Sequence, residues 1–204
     1  MMGVLLHNQL LRDAVQSRGY QRPPLHRLHL FGVRGALVYT DAQGKLRLSK
    51  SDNRPNEYND CIGVFGTELL AFLGSTDPGR HWTLHPSNTL GTATLIPGVW
   101  NYKLGTHRGK RALVQAGAVT VIRDQDRDGK AEPHEPQDHG YFGINIHAGG
   151  SGPRVERWSA GCQVIAGGWE GDPWREFINA AEDSGQAGYT YYLLEWADIA
   201  KVAG

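Results

Sequence analysis

The chain has 204 residues, with 21 Lys and Arg against 21 Asp and Glu, and no net formal charge at neutral pH. That length suits one domain with a substantial core, and the even balance of charge leaves no basic footprint for nucleic acid or an anionic membrane surface. No apolar run approaches the roughly 20 residues a spanning helix needs, so no membrane span is expected.

The 27 glycines and 10 prolines point to a turn-rich, mainly β protein. Six tryptophans and eight tyrosines are enough to line a carbohydrate- or peptide-binding cleft as well as to fill strands. The two cysteines, Cys61 and Cys162, are expected to be reduced, Cys61 as a small buried residue. The run Met1-Met-Gly-Val-Leu-Leu6 is broken by His7 and Asn8 and lacks a cleavage site, so no signal peptide is recognised and synthesis in the cytoplasm is expected.

Leu5, Leu6, Leu10, Leu11 and Val15 fall at helical spacing, predicting an amphipathic helix over residues 4–18. Gly19 and the Pro23-Pro24 pair stop it, and residues 1–24 form an N-terminal helix and connector. Strands are predicted over Leu28–Val33, Ala36–Tyr39 and Lys45–Leu48, with a turn at residues 41–44. Residues 49–60 read as a solvated polar loop, followed by strands Cys61–Phe65 and Glu68–Leu73. Further runs, Thr92–Ile96, Trp100–Leu104, Ala112–Gln115 and Ala118–Ile122, are separated by Gly, Pro and the polar turn Gly105–Lys110. His81, His85 and His107 have no Cys/His set at zinc-site spacing beside them, so no zinc is expected there.

Asp124-Gln-Asp126-Arg-Asp128-Gly129-Lys-Ala-Glu-Pro-His-Glu135 matches an oxygen-ligand calcium loop, with acidic residues at alternate positions, a Gly for the sharp turn and a terminal Glu. A strand precedes it, and Pro133 and Pro136 oppose the exiting helix of an EF-hand. Calcium on Asp124, Asp126, Asp128 and Glu135 would be a structural staple ahead of the next motif; no cofactor is required by the chemistry.

That motif lies in Tyr141–Ile165. A thiol acts as a nucleophile through its thiolate, so a cysteine enzyme needs an imidazole within reach. His147 closes one strand-like segment and Cys162 opens the next, an order that lets neighbouring strands place the two side by side. Gly161 permits close backbone approach, and the N–H groups of Gly161 and Cys162 could face a developing oxyanion. A helix follows, with Asp172 as cap, Pro173 in the first turn, an apolar stripe of Trp174, Phe177, Ile178 and Ala181, and Gly185 at its end. Tyr189–Trp196 reads as the last strand.

The string Ile146-His-Ala-Gly-Gly150 followed by Ser159-Ala-Gly-Cys162 resembles the catalytic signature of the L,D-transpeptidase (YkuD-like) family, a strand-end His-Gly or His-Ser and then Ser-x-Gly-Cys. The resemblance covers residues 139–166 of a single domain spanning 1–204. It implies a mainly β, sandwich or mixed-sheet catalytic domain, with the N-terminal helix and one helix after the motif. Cys162 would be the nucleophile and His147 its base; the backbone around Ala160–Cys162 would form the oxyanion hole, Ser159 would brace the turn, and Ala148 and Gly149 complete the motif. The chain departs from the family at Val164, where Arg is common, and at Ala148, whose side chain cannot orient the imidazole, leaving that task to a backbone carbonyl. The order His then Cys is opposite to papain-like enzymes, and the short separation is unlike trypsin-like cysteine proteases.

The implied activity is attack by Cys162 on the carbonyl at the L-centre of the diamino acid in peptidoglycan stem peptides. A thioester forms, and an amine or water resolves it, giving transpeptidase, carboxypeptidase or endopeptidase chemistry. The partners are therefore stem peptides, and the expected place of action is the periplasm or cell wall, reached by another export or lysis route, as for a phage lysis protein or a secreted antibacterial effector. A non-catalytic wall- or peptide-binding domain and a calcium-stabilised phage structural protein are the alternatives.

Overall fold

The computed structural model describes residues 3–203, so Met1, Met2 and Gly204 lie outside the described residues. Strand accounts for 37% of the chain and helix for 17%, which makes the protein mainly β. The chain opens with β1 (Val4–Leu5) and α1 (Asn8–Ser17). β2 (His29–Arg34), β3 (Ala36–Thr40), β4 (Leu46–Lys50), β5 (Asp60–Phe65) and β6 (Leu70–Ser75) follow. A short helix, α2 (Arg80–Leu84), precedes β7 (Thr92–Leu95), β8 (Gly98–His107), β9 (Lys110–Gln115) and β10 (Val119–Asp124). β11 (Gln137–Gly140), β12 (Ile146–Ala148) and β13 (Gln163–Ile165) lead to α3 (Asp172–Asp183), β14 (Tyr189–Glu195) and α4 (Trp196–Val202).

Eight strands close into a barrel in the order β12-β13-β6-β5-β2-β14-β8-β9. Strands that a sandwich would divide between two sheets are joined here through a seam one pair wide, Ile146 opposite Leu113. Two pairs are parallel, β12 with β13 and β14 with β2, so the barrel is a mixed sheet. Two three-stranded sheets, β1-β4-β3 and β11-β10-β7, complete the strands.

β2 and β5 are buried at every position because both faces are covered. Side chains alternate across a strand, and here each face feeds its own core. Leu30, Ile62, Val64, Tyr191 and Leu193 pack with α3 in one cluster; Phe31, Val33, Cys61, Tyr192 and Leu194 pack with α1 in the other. Burying Leu11 or Val15 of α1 contributes about 1.5–3 kcal/mol each.

Several boundaries differ from the sequence expectation. α1 starts at Asn8 because the His7 ring accepts the Leu10 N–H (3.1 Å) and caps it, while Val4–Leu5 pair with β4 as a strand. The final strand stops at Glu195, where a reciprocal capping box with Asp198 starts α4. The cap of α3 is Gly171 rather than Asp172, which is its first residue. α2 and β11 carry no apolar period, which is why the sequence pattern passed over them. Residues 49–60 are not a solvated loop throughout: Asn56, Tyr58 and Asn59 are buried. Among the described residues no helix is long and apolar enough to cross a membrane.

Candidate active site

β12 and β13 run side by side and parallel, with His147 opposite Val164 and Ile146 opposite Gln163. Alternation then puts Cys162, two residues before Val164, on the same face as His147. The packing agrees: Cys162 and Val164 share a small cluster with Tyr58 and Val155, while Ile146, Ala148 and Ile165 belong to the main core on the other face.

His147 is 2% exposed, and its Nδ1–H donates to the Ala148 carbonyl at 2.8 Å. That bond fixes the tautomer, so Nε2 carries the lone pair. Nε2 is buried and has no hydrogen-bond partner. The ring stacks on His107, with centroids 4.3 Å apart and planes 8° from parallel, and lies near-parallel to Trp169 at 5.6 Å. Burial pushes the imidazole down to about 4, helped by the charges of His107 and Arg108 and opposed by the Ala148 carbonyl.

Cys162 is 8% exposed and free of any disulfide, as is Cys61. Its Sγ faces the Gly143 carbonyl at 3.4 Å and accepts a long contact from the Asn145 N–H at 3.5 Å. Burial raises the thiol to about 11, against the pull of the Asn145 N–H and the Arg108 charge. The resting pair is therefore a neutral thiol and a neutral imidazole that are not hydrogen-bonded to each other. A pair in these protonation states could act only by general-base transfer during attack, not as a preformed ion pair.

The turn before the thiol is tightly specified. Ser159 Oγ donates to the Cys162 carbonyl (2.7 Å) and accepts the Gly161 N–H (3.0 Å). Gly161 sits at φ +126°, and a Cβ there would lie 2.5 Å from the Ala93 carbonyl oxygen. Because Ser159 takes the Gly161 N–H, Gly161 is not the free oxyanion donor that the sequence suggested. The Gly149 N–H is likewise spent on Ile165 (2.6 Å), and Ala160 is exposed at the turn. The Cys162 N–H has no protein acceptor among the described residues, so it is the donor left for an oxyanion.

Five residues bear on the site that the sequence reading did not single out. Tyr58 rises from the supposed polar loop, accepts the Gly150 N–H (2.7 Å) and packs beside Cys162. Asn56 ties the same loop to the chain between the two motifs, accepting the Glu156 N–H at 2.6 Å. Asn145 links His107 Nδ1 (3.1 Å) to the thiol. His107 and Trp169 cover the imidazole. Only the aromatic character of Trp169 and His107 was visible in sequence; their stacking comes from the barrel closing. Val164, where the resembled family has Arg, is fully buried against Tyr58 and Val155, a setting without room for a guanidinium.

The acidic loop between β10 and β11 is also assembled. Ligand oxygens of Asp124, Asp126 and Asp128 lie within 4.8 Å of one another, and those of Asp126, Glu132 and Glu135 form a second such group. Glu135 is thus joined to the others through Asp126, and Glu132 is an addition to the predicted set. The chain matches no protein-family model, no curated protein and no solved structure.

Proposed function

We propose that the chain is a thiol-dependent acyl-transfer enzyme in which Cys162 is the nucleophile and His147 the base. The observation that carries this reading is the orphaned Nε2 of His147. A buried polar atom left without a partner costs roughly 1–3 kcal/mol, and an imidazole kept in that condition on the strand paired with the one that Cys162 precedes has a use for its lone pair. Within that class, the resemblance of Ile146–Gly150 and Ser159–Cys162 to the L,D-transpeptidase signature points to an L,D-transpeptidase-like domain acting on peptidoglycan stem peptides at the cell wall.

In this reading Cys162 Sγ rotates away from the Gly143 carbonyl and attacks the carbonyl carbon at the L-centre of the diamino acid. Nε2 takes the thiol proton as the C–S bond forms, and the Cys162 N–H holds the oxyanion. Collapse breaks the C–N bond, and the proton on Nε2 leaves with the terminal D-residue's amine. An amine or water then opens the thioester. The second reading, a non-catalytic binding domain, draws on the burial of Cys162 and its raised thiol.

Mass spectrometry of stem tetrapeptides incubated with wild type and with Cys162→Ala tests the proposal. Loss or exchange of the terminal D-alanine with the wild type alone is expected. No change with several wall types, together with a Cys162 that resists iodoacetamide at alkaline pH, would leave the binding domain.

A further inference from the structure

Carboxylates gather on hairpin loops without any ligand, so the acidic cluster between β10 and β11 decides nothing by itself. Asp124 decides it. The residue is 1% exposed; Oδ2 accepts the Gly129 N–H at 3.0 Å, while Oδ1 is buried with no hydrogen-bond partner. A ligand oxygen of this half-satisfied carboxylate lies within 4.8 Å of those of Asp126 and Asp128, so the group faces the cluster. Buried carboxylates are paired, hydrogen-bonded or on a metal, and beside the backbone N–H groups of Gly129 and Arg127 the charged neighbours here are the carboxylates of Glu135 and Asp128, which repel it.

We propose that this loop binds a calcium ion through Asp124, Asp126, Asp128, Glu132 and Glu135. Every donor is a hard oxygen, and no Cys or buried His stands among them, which disfavours zinc and the softer transition metals. Calcium accepts six to eight oxygens in irregular geometry, whereas magnesium holds to a small octahedron and keeps its waters. The acidic residues occupy positions one, three, five, nine and twelve of the loop, with Gly129 at position six and φ +85° making the sharp turn. Both Glu135 oxygens are steadied by backbone N–H groups, from Gln125 (2.7 Å) and Glu132 (3.0 Å). Lys130 Nζ holds Asp128 Oδ2 at 2.9 Å from an exposed position and is displaced when the ion enters.

The ion ties the end of β10 to the start of β11, the strand from which the chain continues to Gly143 and Asn145 beside Cys162. It is a staple for that segment, and the inference stands whether or not the thiol is catalytic. The test uses the full chain freed of metal by a chelator, titrated with calcium chloride by isothermal calorimetry and melted with and without it. One site per chain is expected, with a rise in Tm of about 5 °C at a hundredfold excess over Kd. Magnesium chloride should shift the melt less. Asp126→Asn, an exposed change in both carboxylate groups, should keep the metal-free Tm and lose the calcium response. No heat and no shift at about 5 mM calcium, above the weakest natural calcium modules, would overturn the site. An undiminished response in Asp126→Asn, or an equal response to magnesium, would do the same.

Discussion

One cysteine lies in the barrel wall and the other in the turn that enters β13, and their surroundings differ in kind. Cys61 lies on β5 among Phe31, Val33 and Phe65, with no exposed surface. Burial, and then the neighbouring Asp60, lift its thiol far above the ordinary value. Asp60 in turn is fully engaged: its oxygens accept the N–H groups of Gly35 and Thr76 (2.6 Å each) and the Thr76 hydroxyl (2.8 Å). Arg34 closes the network through Thr76, the Leu95 carbonyl and Asp77. Around Cys162 the polar atoms are left open, with Nε2 of His147 orphaned and the sulfur held by two long contacts. A satisfied network stiffens a fold, whereas a buried ring nitrogen left unpaired marks a candidate functional site.

The widest separation of the two sites is expected in turnover. Cys162→Ala should lower stem-peptide cleavage or exchange by at least about 10³-fold, as loss of a nucleophile does, with little change in Tm. Cys61→Ala should keep the activity and cost about 1 kcal/mol in a urea melt. Equal activity of the two variants would erase the distinction. Next comes stability: Asp60→Ala leaves the buried Gly35 and Thr76 N–H groups without their acceptor and should cost about 1–3 kcal/mol for each by denaturant unfolding. The Cys162 alkylation rate of that variant, measured under native conditions, should match wild type; a large change would mean the two regions are one.

Much of this contrast was legible in the sequence, and the part that was not has physical causes. The strands and the His–Cys order could be read because local pattern determines them, while the Ser159 brace came only with the family resemblance. The imidazole's backbone anchor followed from Ala148, which has no side-chain acceptor to offer. The fate of the Gly161 N–H could not be read, since Ser159 competes for it only once the turn has closed. His107, Tyr58 and Asn145 meet motif residues 40, 104 and 17 positions away along the chain, and single-sequence periodicity holds no record of such pairings. Asp60 read merely as the end of a polar loop, because nothing in its flanks announces that Gly35 and Thr76 will enclose it.

The imidazole gives a test of the open site that needs no substrate. An unfolded histidine titrates near its ordinary value of about 6.5, whereas folded His147 is held down to about 4. Between these values the unfolded chain binds a proton that the folded chain refuses, so stability is full above pH 6.5 and drains away as pH falls through 4. The share belonging to this group is about 3 kcal/mol. His147→Gln, which cannot titrate, should flatten the melting profile across that window relative to wild type. Parallel profiles would show that the ring is already open to water.

The smallest effect isolates the cover. Trp169 is half-buried, lies near-parallel to His147 and meets Trp174 edge-on at 5.6 Å. Removing its indole admits water to the imidazole and the sulfur while leaving the Ser159 turn and the Ala148 anchor in place. Trp169→Ala should therefore raise the rate of Cys162 alkylation by iodoacetamide about tenfold, with Cys61 still protected. The same change should move the His147 titration upward, because burial is the chief cause of its depression. A faster alkylation with an unmoved imidazole would mean that Trp169 shields the sulfur alone. No change in either would place the barrier at His107 and the β8–β9 turn, where Arg108 holds a left-handed backbone at φ +51°.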